Sequence, residues 1–392
     1  MTDAANNTYA SRHGLALERA AAAGVELLLC ADPANVHWLT GVAADVETGP
    51  SPFAPGPLVV LAPGEPALLV VSEDERPATV PDGIETVSYE GFTTAPLRGA
   101  EHAARLTASA LGGRSAAIDG VTARGLVNAA RAASDAEPTA RATARVVDVA
   151  DALLDARAVK DDLALAHLRA AIAVADAGQA ALRAALTSGS GSGSGTGLAG
   201  RSEIELFGAL RTAMETAAGA RVPLLADLVS GPRTAGMGGP PGSRAIGPGD
   251  LVLCDLAPRV NGVWGDSCAT VAVGEPTAAI RAAHGKVHDA LERAIDAVRP
   301  GVAVAELDAL TRAGLDYPHH TGHGVGGSYH ERPRVVPGAS GTLREGMVIA
   351  LEPGFYADTQ AGADRRFGIR LEHVVRVTAD GCEDLSRHRL DL

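Results

Sequence analysis

Aromatic side chains are nearly missing from this sequence: 2 Trp, 5 Tyr and 5 Phe make up 3% of 392 residues. The interior must therefore be built from Ala, Val and Leu, within an apolar fraction of 46% that argues against wholesale disorder. Cysteine is also scarce. Cys30, Cys254, Cys268 and Cys382 are scattered with no Cys-x-x-Cys pair, so a reduced, cytoplasmic protein is expected. Positive charge is in deficit, with 34 Lys and Arg against 47 Asp and Glu, a net −13 that disfavours nucleic acid or an anionic membrane as partner. No apolar run approaches the roughly 20 residues of a membrane span. The first residues lack a basic segment, and Glu26 interrupts the apolar stretch from Val25 to Cys30, so no signal peptide is expected.

The length leaves room for two domains with ample cores. In the first part, helical and strand-like signals alternate. Ser11 to Ala23 reads as a helix, Val25 to Cys30 as a buried strand ended by Asp32-Pro33, and Pro57–Ala62 with Pro66–Val71 as a hairpin around Pro63-Gly64. Helices near 99–111 and 125–133 flank a strand at Ser115–Asp119, which implies an α/β domain with a covered sheet. The pattern then changes to one long helix from about Asp161 to Thr187, with an Asp-rich start suited to a helix N-terminus. We place the domain boundary just before it, giving domains of residues 1–157 and 158–392. Ser188 to Gly195 alternates Ser and Gly like a flexible linker; no Gly-Lys-Ser/Thr follows it, so a phosphate loop is excluded. Ser202-Glu-Ile-Glu205 is a capping box opening a helix to about Ala217. Strands are expected at Leu251–Leu256, Asp266–Val273, Met347–Leu351 and Phe367–Val377, with a helix near Thr277–Val298 between them.

The chemistry concentrates in the second half. Four imidazoles fall within twelve residues: His319, His320, His323 and His330. Around them stand spaced carboxylates on apolar runs. Asp255 ends Leu-Val-Leu-Cys, Asp266 begins Ser-Cys-Ala-Thr-Val, Glu352 ends Val-Ile-Ala-Leu, and Glu372 lies in Ile-Arg-Leu-Glu-His-Val-Val. Carboxylates buried in such runs are costly unless paired or metal-bound, and a divalent cation cluster explains all of them at once. Gly262 and Gly265 suit a hairpin that sets Asp255 beside Asp266. His323 sits between glycines, so backbone can approach a metal closely. Arg370 shares a strand face with Glu372. An oxygen-dominated donor set with one nitrogen favours Mn²⁺ first, then Co²⁺ or Fe²⁺, with Zn²⁺ admissible; a helical His-Glu-x-x-His zinc motif is absent.

The order Asp, Asp, His, Glu, Glu resembles the pita-bread metalloenzymes: prolidase, aminopeptidase P, methionine aminopeptidase and their metal-free relative creatinase. The matching pieces are Gly249-Asp-Leu-Val-Leu-Cys-Asp255, Gly265-Asp266, Thr321-Gly-His323-Gly, His330-Glu-Arg-Pro333, Met347 to Gly354 and Gly368-Ile-Arg-Leu-Glu372. Asp32 to Gly41 is similar to a recurring creatinase-type segment, so the resemblance covers nearly the whole chain. It implies an α/β (α+β) protein with a creatinase-like N-terminal domain before a pita-bread catalytic domain. It also implies two divalent ions, with Asp266 and Glu372 bridging them, Asp255 on one, and His323 with Glu352 on the other. Glu352 would serve as general base, and His330 and His319 would hydrogen-bond the substrate carbonyl. Arg370 would orient Glu372 or a histidine. A homodimer is implied, with Trp38 and His37 walling the partner's site and contacting substrate.

The expected function is therefore that of a dinuclear metal-dependent hydrolase resembling Xaa-Pro peptidases, acting on a small peptide or small molecule. The alternatives are a same-fold enzyme acting on a non-peptide amide or on a C–N or C–S bond, as hydrolase or lyase, or a non-catalytic binding module. The sequence also departs from the family. Where the family commonly reads Ser-Gly-x-Asn-Ser-Ala-x-Pro-His, this chain has Ser230-Gly-Pro-Arg-Thr-Ala-Gly-Met-Gly238, so the histidine's place falls on Gly238. The expectation is a vacant position, tolerant of Ala, with reduced Xaa-Pro cleavage. A missing positioning group costs about 10² to 10⁴ in rate.

Overall fold

In the computed structural model, which describes residues 2–44, 55–91, 98–135, 145–187, 200–357 and 366–392, the first helix starts earlier than its sequence pattern suggests. The Thr2 hydroxyl accepts from the Ala5 amide and caps α1 (Asp3–Ala22). β1 (Leu27–Cys30) follows. The segment Asn35 to Thr40 is then helical, within α2 (Pro33–Thr40). Its local chemistry explains why: the Asp32 carboxylate accepts from the Ala34 and Asn35 amides, Pro33 occupies the first turn, and Gly41 closes the helix in left-handed backbone.

β2 (Leu58–Leu61), β3 (Ala67–Ser72), β4 (Ile84–Tyr89), α3 (Gly99–Leu111), β5 (Ala116–Ile118), α4 (Val121–Asp135), β6 (Val146–Asp148) and α5 (Ala150–Ala158) complete this part. Its sheet has the order β4-β3-β2-β1-β5-β6, with β1 antiparallel to β2 and parallel to β5. Leu28 and Cys30 face a cluster with Ala16 and Leu39 from the first two helices. Leu27 and Leu29 face the opposite cluster with Leu111 and Val127. Covered on both faces, the strand reads as an unbroken apolar run.

The chain divides into two units at Arg157, and the second spans Ala158–Leu392. It comprises α6 (Asp162–Thr187), α7 (Glu203–Ala218), β7 (Leu224–Ser230), β8 (Leu251–Val260), β9 (Val263–Trp264), β10 (Cys268–Ala272), α8 (Ala278–Ala297), α9 (Val304–Arg312), β11 (Gly322–Gly324), β12 (Glu331–Val335), β13 (Val348–Leu351), β14 (Gly354–Tyr356), β15 (Gly368–Arg370), β16 (His373–Val377) and β17 (Cys382–Asp384). The Ser-Gly stretch from Ser188 to Gly195 lies outside the described residues. The capping box is present: Ser202 and Glu205 exchange side-chain and backbone hydrogen bonds at the start of α7.

Two sheets carry the site. One has the order β10-β8-β7, the other β12-β11-β13-β16-β17, and a short β14-β15 ribbon accompanies them. Leu228, Val252 and Cys254 pack beneath α6 and α7, with Leu182, Leu206 and Leu210. Val287 and Leu291 of α8 cover Ile349, Leu351 and Val375. The expected strand over Phe367–Val377 is in fact two. Gly368–Arg370 pairs with β14, whereas His373–Val377 pairs with β13. Between them the Glu372 amide donates to the Cys268 carbonyl at 2.9 Å, so the chain changes partners there.

Candidate metal centre

β8 and β9 are joined by Asn261-Gly262, both at positive φ (51° and 79°), the geometry that a two-residue hairpin turn requires. The strands return in the register Asp255↔Cys268, which brings Asp266 alongside Asp255. Gly265, just before it, admits no side chain, because a Cβ there would meet the Ala171 backbone of α6. Glu372, at the partner change described above, reaches the same place. One ligand atom from each of Asp255, Asp266 and Glu372 lies within 4.8 Å of the others, and Asp266 and Glu372 are buried.

β11 places His323 opposite. Its Nδ1 donates to the Gly324 carbonyl at 3.0 Å, which aims Nε2 at Asp266 Oδ2 (3.5 Å) and Glu352 Oε1 (3.4 Å). Glu352 follows β13 and is 6% exposed. The five residues marked by the sequence pattern as ligands thus converge on one cavity of about 400 Å³. His319, His330 and Arg370 line the same cavity. Trp38 and His37 belong to the first unit, where His37 is buried and Trp38 packs on the core around Leu39.

The electrostatics of this cluster favour a cation. Burial raises the pKa of Glu372 well above the carboxylate range, and the charges of Asp266, Asp255 and Glu352 push it further. Asp266 is raised for the same reasons, by burial and then by Asp255. Asp255 is raised less, because the Arg370 guanidinium beside it offsets burial. Among the described residues, Glu372 Oε1 is buried with no hydrogen-bond donor. A buried carboxylate oxygen without a donor is what a divalent ion satisfies, and the oxygen-rich donor set with one imidazole fits such ions.

The imidazoles differ in state. Although burial opposes it, hydrogen bonding to Glu352 and the nearby carboxylates raise His323 to about 9 with no ion bound. His319 is instead lowered to about 4, chiefly by burial. Its Nδ1 donates to the His320 carbonyl at 2.8 Å, so Nε2 accepts from the Tyr356 hydroxyl at 2.9 Å. His330 is also lowered to about 4, by desolvation and by the neighbouring His323 and His320; its ring centroid lies 4.1 Å from that of His323.

Arg370 pairs with the site, as its strand face allowed, but its hydrogen bonds do not go to Glu372 or to a histidine, the partners that the resemblance implied. The strand break between Arg370 and Glu372 turns the guanidinium away, so that it hydrogen-bonds Asp255 and donates to the Met237 carbonyl at 2.6 Å. Its Nε lies 3.7 Å from Glu352 Oε2.

Three residues gain roles that the sequence pattern did not assign. His320 Nδ1 accepts from Arg334, leaving Nε2–H to donate to Glu352 Oε1 at 2.7 Å. Tyr356 fixes His319, through a ribbon pairing that no local pattern announces. Asp227, on β7, faces Asp255 across the strands and lines the cavity. Its signal in sequence was the one that marked Glu372, an acid inside an apolar strand. Position 238 is also not vacant space: a Cβ there would collide with the Asp227 carboxylate, with Cγ at 2.7 Å. Tolerance of Ala is therefore not expected, because the neighbouring acid already fills that volume.

The family model for metallopeptidase family M24 matches residues 166–379. The Xaa-Pro dipeptidase of Pyrococcus furiosus is 34% identical over 172 residues, covering 42% of this chain and 48% of that protein, about half its length. The putative dipeptidase YkvY of Bacillus subtilis is 30% identical over 268 residues, 66% of this chain and 69% of that one. Among solved structures, the prolidase from Pyrococcus horikoshii superposes with TM-score 0.75 at 24% identity, covering 97% of this chain and 99% of that chain. The dipeptidase PepE from Mycobacterium ulcerans gives 0.73 at 25% identity, covering 99% and 98%.

Proposed function

Because the chain belongs to metallopeptidase family M24 and has the pita-bread fold, we propose that it hydrolyses the peptide bond of short Xaa-Pro substrates with two divalent metal ions. The observation that carries this reading is the buried cluster of Asp255, Asp266 and Glu372, with its donorless Glu372 oxygen, opening on a cavity that also holds imidazoles. Asp255, Asp266, His323, Glu352 and Glu372 would hold the ions. When bound, such ions polarise a carbonyl and lower the pKa of water to near neutrality.

The chain's own groups divide the remaining work. Glu352 is the proton acceptor: although burial opposes it, His320 and His323 hold its pKa well below the carboxylate range, so it is ionised at neutral pH. The His320 hydrogen bond fixes the orientation of Oε1. His330, at the rim, is the polar group that orients the scissile carbonyl, whereas neutral His319, its ring nitrogens engaged by the His320 carbonyl and the Tyr356 hydroxyl, shapes the wall beside it. Arg370 positions Asp255 and neutralises part of the cluster.

We further infer that manganese is the working metal, that the protein is a cytoplasmic homodimer, and that half-buried Trp38, rather than buried His37, helps to wall the partner's cavity. No helix of the described residues is long and apolar enough to cross a membrane. The test is elemental analysis of manganese-reconstituted protein with an assay on Ala-Pro and Gly-Pro. About two ions per chain and proline release are expected. A reconstituted protein with no bound metal, or a loaded one inert towards every dipeptide, overturns the reading. Light scattering giving a monomer at micromolar concentration overturns the dimer.

A further inference from the structure

We propose that Asp227 binds the free α-ammonium group of the substrate, which makes the protein selective for an unblocked N-terminus. This rests on the peptidase reading above and names the chemistry at one wall of that site. Three observations carry it. Asp227 stands on β7 directly across from Asp255, so it adjoins the cluster of Asp255, Asp266 and Glu372, whose ligand atoms lie within 4.8 Å of one another, without belonging to it. Its side chain is 40% exposed and lines the cavity, and no described residue donates a hydrogen bond to it. Arg370, the nearest cation, lies 3.9 Å away with its guanidinium committed to Asp255 and the Met237 carbonyl. Lastly, Gly238 presents no side chain where a Cβ would strike this carboxylate, so the backbone there has been cleared for it.

A carboxylate with unused acceptor capacity in a substrate cavity selects a cation. Beside it, Leu225 and Ala257 supply apolar wall rather than competing donors. The imidazoles lie on the β11 side, where the scissile carbonyl is oriented, so an ammonium on the β7 side accommodates a short peptide with its N-terminus towards Asp227. A protonated amine brings three donors to a carboxylate that has none. A charge-assisted contact of this kind changes affinity by roughly tenfold to hundredfold.

The test uses manganese-loaded full-length protein and a non-hydrolysable phosphinate analogue of Ala-Pro, with a free amine or N-acetylated. Wild type is expected to bind the free amine at least tenfold more tightly, measured by calorimetry. Asp227→Asn, close in shape, should lose most of that preference while keeping its metal content and its affinity for the acetylated form. With Ala-Pro as substrate it should raise KM more than it lowers kcat. Asp227→Glu should restore part of the preference, and Gly238→Ala should imitate Asp227→Asn by displacing the carboxylate. An unchanged preference in Asp227→Asn overturns the proposal. So does a preference that follows a lysine side chain on the first residue instead of its α-amine. A wild type that shows the Asp227-dependent preference yet cleaves no peptide would sink the peptidase reading and leave the ammonium site standing.

Discussion

Each unit of this protein buries carboxylates, and the two treat them in opposite ways. In the first unit Asp119 is 7% exposed and accepts from the Ala31 and Asp32 amides and from the Asn35 side chain, at 2.9 to 3.1 Å. In the second unit Glu372 is 1% exposed, and one of its oxygens meets no donor while three other carboxylates crowd it. The contrast does not come from the unit itself. Glu203, also in the second unit and fully buried, accepts from the Ser230 amide and hydroxyl, the Gly242 amide and Arg233. A buried acid given donors is a structural joint. Buried acids given only one another hold a place for a cation.

The largest test of this contrast is Asp266→Asn. With metal supplied, activity should fall by roughly 10³-fold or more, since even a single electrostatic group at a reaction centre contributes 10² to 10³. Elemental analysis should find metal lost with it. Without metal the same change should raise the melting temperature, because it relieves the crowding of buried acids that raises the pKa of Asp266 and Glu372. An apo variant less stable than apo wild type would mean that the acids are already satisfied by the protein.

Asp119 is the counter-case, and its removal should act on stability alone. Asp119→Ala strands two backbone amides and the Asn35 side chain, at a cost of about 3 kcal/mol, or roughly 6 to 12 °C in the melting of a unit this size. Metal affinity should not change. Burial raises the Asp119 pKa above the ordinary value despite those hydrogen bonds. The native state therefore takes up its proton before the unfolded chain does. Above the native pKa the ionised group costs stability, and the cost is relieved as pH falls towards the unfolded value. Wild type should accordingly gain on Asp119→Asn as pH is lowered from neutrality, in paired thermal melts.

What the sequence made legible follows the same line. The four carboxylates proposed as ligands were visible because each lies at an end of, or inside, an apolar run, a local conflict with burial that a cation resolves, and His323 because it sits between glycines among four clustered imidazoles. The capping box of Ser202 and Glu205 and the long helix after Asp161 were visible because their signals lie within a few residues. The break at Leu371-Glu372 was not, since it depends on the Glu372 amide finding the Cys268 carbonyl, a contact about a hundred residues away. The helix at Pro33–Thr40 had its cap and its closing glycine in plain sight, but the short apolar stretch beside a strand masked them. Asp227 carried the same conflict as Glu372, yet its meaning depends on Gly238, eleven residues on, and only the fold sets the two against each other.

Arg370 supplies the smallest and sharpest test, because its guanidinium hydrogen-bonds Asp255, one of the three clustered acids. Its guanidinium spans Asp255 and the Met237 carbonyl at once, with Glu352 also near, and a lysine has one nitrogen where this geometry uses two. Arg370→Lys keeps the charge and loses the fork. If Arg370 works by holding Asp255 in place, the variant should bind metal and turn over roughly 10- to 100-fold less well, the usual effect of losing a group that orients a ligand. Raising the manganese concentration should then restore part of the activity, since the defect lies in occupancy and orientation. If Arg370 serves only as a counter-charge for buried acids, the lysine should suffice, with activity and metal affinity within about twofold of wild type. Metal titrations followed by activity, run in parallel on Arg370→Lys and Arg370→Met, separate the two: positioning predicts that both variants fail, whereas simple neutralisation predicts that only the methionine does.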